Sequence, residues 1–83
     1  MIKRLLRSFE KKGENLVGET LLNNVSLEEL QKLFKVDSSN PMYDCYLIEN
    51  KEQFDYLQNK FNVKLNDELY DYYLETDTFS EDN

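Results

Sequence analysis

Leu69-Tyr70-Asp71-Tyr72-Tyr73-Leu74-Glu75-Thr76-Asp77 decides the fold, because everything before it reads as a hairpin, two helices and one strand that need a further strand to complete a sheet. Its tyrosines and threonine favour a strand. The preceding Asn66-Asp67-Glu68 could also cap a helix, but the strand is the reading carried forward.

Working outward, Met42 to Ile48 is rich in aromatic and branched residues and reads as a strand that opens after Pro41. Between these two strands lies a helix with Asn50 as N-cap, Gln53 at the third helical position, and a stripe of Phe54, Leu57 and Phe61. An earlier helix, Leu27 to Lys35, begins at Ser26. There Glu29 completes a reciprocal capping box, Val25 and Leu30 form a hydrophobic staple, and Leu27, Leu30, Leu33 and Phe34 face inward. The first twenty-two residues read as a hairpin, Ile2 to Glu10 and Leu16 to Leu22, around Lys11-Lys12-Gly13-Glu14-Asn15. Gly13 and Gly18 are isolated and fit a turn and a strand irregularity rather than a phosphate loop. The order ββαβαβ predicts an α+β fold, a mainly antiparallel or mixed sheet with two helices on one face. One domain over residues 1–79 is expected, with 80–83 as a frayed acidic tail.

Composition narrows the function. The chain has 83 residues, 40% of them hydrophobic and 33% charged, which suits a small folded domain with a single core. The formal net charge is −7. Residues 1–35 hold seven basic and five acidic side chains, whereas residues 36–83 hold three basic and twelve acidic ones. Such a balance argues against nucleic acid and against a membrane surface, both of which need clustered Lys and Arg. Lys3, Arg4, Arg7, Lys11 and Lys12 are read as solvated charges that discourage pairing at a sheet edge. A single cysteine and no secretory signal at the start point to the cytoplasm.

The absence of histidine removes the commonest general base and the commonest transition-metal ligand together. Cys45 is read as a small buried residue sharing a face with Tyr43 and Leu47, not as a nucleophile. No carboxylate spacing suggests glycoside hydrolysis or a calcium loop. The expectation is a protein that is not an enzyme, with no cofactor, no metal and no small-molecule substrate.

What rises above background is the interleaving of tyrosines and acids. Alternation predicts that Asp44, Tyr46, Asp71, Tyr73, Glu75 and Asp77 share the open face of the sheet, aromatic and strongly negative, and there grip a basic partner.

The runs Phe9 to Val17, Val25 to Phe34 and Asn40 to Tyr46 resemble a family of small uncharacterised bacterial proteins, with Pro41-Met42-Tyr43-Asp44 the most particular piece. In kind, through size, acidity and lack of catalytic residues, the chain is also similar to immunity proteins of bacteriocin and contact-dependent growth inhibition systems. That likeness implies a partner that is a cognate toxin C-terminal domain, often a basic nuclease, and a role as its inhibitor. The alternatives are a nucleic-acid-mimicking inhibitor and a general protein-interaction domain.

Overall fold

A computed structural model describes residues 2–78; the tail expected at 80–83 lies outside the described residues. The elements run β1 (Ile2–Glu10), β2 (Leu16–Leu21), α1 (Leu27–Phe34), β3 (Tyr46–Leu47), α2 (Lys51–Phe61) and β4 (Tyr70–Thr78). The decisive last segment is therefore a strand. The four strands form one sheet in the order β2-β1-β4-β3, antiparallel throughout, so the first and last strands are its centre.

Alternation sorts the strands cleanly. Leu6 of β1 and Leu74 of β4 are direct partners and meet Leu22, Leu30, Met42, Ile48, Leu57 and Tyr72 in the core. Leu30, Met42, Leu57 and Leu74 are fully buried. The hairpin closes as expected, with Gly13 and Glu14 at positive φ and the Glu10 N–H donating to the Asn15 carbonyl at 2.9 Å. Val17 has no partner where the β1–β2 register shifts opposite Phe9, a bulge beside Gly18.

Both helices start where capping chemistry places them, but they differ in kind. In α2, Asn50 accepts from the Gln53 N–H at 2.9 Å while the Gln53 side chain accepts from the Asn50 N–H at 3.3 Å, a complete box. In α1, the Ser26 hydroxyl accepts from the Glu29 N–H at 3.4 Å, and the reciprocal arm is missing. The Glu29 carboxylate instead accepts from the Tyr56 hydroxyl of α2 at 3.1 Å, which ties the helices together. Leu27 at the start of α1 is exposed, and its expected inward place is taken by Gln31, buried with its amide donating to the Ser38 and Asn40 carbonyls at 3.0 and 2.7 Å.

The expected strand over Met42 to Ile48 contracts to Tyr46–Leu47, and its parity is reversed. Met42 adopts a φ of 55°, which breaks extended structure and turns its side chain into the core. With Ile48 also buried, Tyr46 points inward and Leu47 outward. Cys45 is consequently exposed rather than buried.

Candidate functional site

No helix of the described residues covers the second face of the sheet; both pack on the core face. The register that sends Leu6 and Leu74 inward sends Leu5, Arg7 and Phe9 of β1, Glu19 and Leu21 of β2, Leu47 of β3, and Asp71, Tyr73, Glu75 and Asp77 of β4 outward.

Arg7 is the hub of this face. Its Nε donates to Glu19 at 2.9 Å, Nη1 to Glu75 at 2.6 Å and Nη2 to Asp77 at 2.6 Å, linking three strands. The hydrogen bonds it donates to Asp77, Glu75 and Glu19 hold the guanidinium pKa above its ordinary value. Lys11 pairs with Asp71 at 2.7 Å. The expectation of solvated charges at a sheet edge does not hold for Arg4 and Arg7, because β1 is a central strand, Arg4 is buried and Arg7 is paired. Arg7 and Lys11 neutralise acids of the last strand, so the field at this face is weaker than the sequence count of acids implies.

Beside the Arg7 network lies a hollow of about 260 Å³ lined by Phe9, Tyr73, Cys45, Glu10, Glu14, Asp71 and Glu75. Phe9 and Tyr73 meet edge to face, with centroids 5.6 Å apart at 83°. The Cys45 thiol donates to Glu75 Oε2 at 3.4 Å. Partial burial, together with the hydrogen bond and charge of Glu75, pushes this thiol up to about 11. Four carboxylates and no base line the hollow, although Asp71 and Glu75 each contact a cation just outside it. Its chemistry suits the stem and charged head of a lysine or arginine side chain, with aromatic walls for the stem and carboxylates for the head.

Of the six residues expected on this face, Asp71, Tyr73, Glu75 and Asp77 are there. Asp44 is exposed but precedes β3, outside any strand. Tyr46 lies on the opposite face, its ring 5.6 Å from Phe34 and its hydroxyl accepting from the Asn40 amide at 3.3 Å. The reversed parity of β3 is the cause. Sequence reasoning missed Arg7, Phe9, Glu10, Glu14 and Glu19; the alternation Leu5, Arg7, Phe9 in the first strand carried a signal for two of them.

Among the described residues no group of His, Cys, Asp or Glu could hold a metal ion, and no helix is long and apolar enough to cross a membrane. No curated protein matches the chain significantly. The family model for a domain of unknown function, DUF7683, matches residues 3–75, and the chain belongs to that family.

Proposed function

We propose that this protein is a non-catalytic binding domain of the immunity type, which neutralises a basic toxin domain by seating one of its lysine or arginine side chains in the hollow beside the paired rings of Phe9 and Tyr73. The observation that carries the reading is the lining of that hollow: two aromatic rings in edge-to-face contact and the carboxylates of Glu10, Glu14, Asp71 and Glu75. Rigid aromatic walls supply contact area at small entropic cost, and carboxylates speed the approach of a cationic partner. The apolar side chains Leu16, opposite Phe9, and Leu47, opposite Tyr73, are exposed and extend the area available to a partner. The Arg7 network keeps Glu75 in place, so the hollow is preorganised before binding.

The test is co-expression with the domain encoded directly upstream. Rescue of growth, together with a complex that survives purification and loosens at raised salt, is the expected result. Growth arrest despite soluble expression of both chains, with no complex formed, refutes the reading.

A further inference from the structure

The sheet has two edges, and they differ. β3 is only two residues long, which leaves little main chain to pair. β2 runs from Leu16 to Leu21 and packs against no element of the described residues except β1. Its outer side therefore presents main-chain N–H and C=O groups that no described residue meets. The usual guards of an edge are missing as well. Leu16-Val17-Gly18-Glu19-Thr20-Leu21 contains no Lys, Arg or Pro, and Leu16, Val17 and Leu21 are exposed. Glu19, the single charge of the strand, is already held by Arg7 at 2.9 Å.

Ladder parity identifies the free groups. The Leu22 N–H donates to the Arg4 carbonyl at 2.9 Å. Hydrogen-bonded and non-hydrogen-bonded positions alternate along an antiparallel pair, so Thr20 opposite Leu6 and Gly18 opposite Ser8 also turn their main-chain groups towards β1. Glu19 and Leu21 turn theirs away from it. The register shift opposite Ser8 and Phe9 ends the regular run at Gly18. Gly18 to Leu22 is thus the stretch able to take a further strand, with Thr20 at its centre.

We infer that this edge pairs with the same edge of a second copy, antiparallel, about a two-fold axis that passes between the two Thr20 residues perpendicular to the sheet. In that register Glu19 of each protomer exchanges both main-chain hydrogen bonds with Leu21 of the other, and the two Thr20 side chains meet across the axis. The neighbouring registers are worse. An axis at Glu19 sets two carboxylates directly opposite each other, a destabilising pair. An axis at Gly18 draws the bulged Val17 into the ladder. The self-match is what selects a second copy over a foreign strand: the regular stretch is symmetric about Thr20, and its charges avoid one another.

Such pairing joins two four-stranded sheets into one, with both Phe9–Tyr73 hollows on the same side. It holds whether or not the hollow receives a basic side chain, since no residue from Gly18 to Leu22 lines it. A contact of one strand edge is small, and each copy carries a net charge of −7, so the dimer is weak and is helped by salt.

The experiment is sedimentation equilibrium of the folded protein, from micromolar to millimolar concentration, at about 0.1 and about 1 M salt, where the screening length falls from about 10 to about 3 Å. A monomer–dimer equilibrium is expected that tightens by about threefold or more at the higher salt, whereas a complex with a basic partner loosens. Leu21→Glu places a carboxylate opposite Glu19 of the other protomer and should weaken the dimer by about tenfold or more; Leu21→Lys places a cation there and should strengthen it. Leu21 is exposed, so both variants should keep the parent's circular dichroism spectrum. In the unmodified protein, amide hydrogen exchange at Glu19 and Leu21 should slow as concentration rises. A monomer at millimolar protein in the higher salt, equal weakening by Leu21→Glu and Leu21→Lys, or protection of Glu19 and Leu21 only when the domain encoded upstream is present overturns the inference.

Discussion

Arg7 on β1 and Glu75 on β4 are bound at 2.6 Å with both side chains about four-fifths buried, at 19% and 20% exposure. Arg7→Ala leaves Glu19, Glu75 and Asp77 without their shared cation, so a loss of about 1–3 kcal/mol is expected in urea denaturation. Glu75→Lys should cost a similar amount, since it faces Arg7 with a like charge. A variant of either kind as stable as the parent would show that the network contributes nothing to the sheet.

For the partner, the informative substitution is Asp71→Lys rather than any change at Glu75. Asp71 lines the hollow and, among the described residues, its one ion pair is with the half-exposed Lys11, so reversal should leave the fold intact. Affinity for the proposed basic partner is expected to fall by about tenfold or more, with much of the loss in association rate at low salt. Tyr73→Ala should act instead on dissociation, because it removes a wall of the hollow. Stopped-flow measurements on the complex separate the two effects.

Cys45 is exposed, yet its thiol should alkylate slowly at neutral pH, because burial and Glu75 push its pKa up to about 11. The rate should climb as pH approaches that value. Glu75→Gln removes the negative neighbour and should move the rise to lower pH. Cys45→Ser should leave binding unchanged; rapid labelling at pH 7 would contradict this account of the thiol.

Tyr56 gives a pH dependence of the same chemical origin. Burial, and then its hydrogen bond to Glu29, raise its pKa from 10.0 to about 12. The neutral phenol is thus favoured in the folded state, so this contribution is fully present below pH 10 and fades as pH rises towards 12. Tyr56→Phe should flatten the stability profile over that interval, read as the urea midpoint against pH.

The two N-caps should differ in cost. Asn50→Ala breaks a complete box and should destabilise by about 1–2 kcal/mol, whereas Ser26→Ala loses a single long bond and should fall near the lower end, about 0.5 kcal/mol. Chemical denaturation of the two variants side by side decides the order.

The sequence announced the helices because capping is local: Ser26 and Asn50 sit next to the groups they satisfy. It also marked the outward acids of the last strand, whose alternation survives over nine residues. Two things were hidden. The turn of Met42 into the core depends on a single positive φ, which no propensity at that residue type signals, and it reversed the faces of Cys45, Tyr46 and Leu47. The role of Arg7 depends on strand order, since only a β1 strand flanked by β2 and β4 can reach Glu19 and Glu75 together.

Placing β1 against β4 also dictates when the molecule can fold. Their ladder runs from Ile2 opposite Thr78 to Glu10 opposite Tyr70, so the central pairing joins residues separated by nearly the whole described length. During synthesis the first hairpin can close early, but the far edge of β1 then waits, unpaired, until β4 leaves the ribosome. Nascent chains halted before Tyr70 should accordingly be the aggregation-prone species, and refolding should be slow for so small a domain.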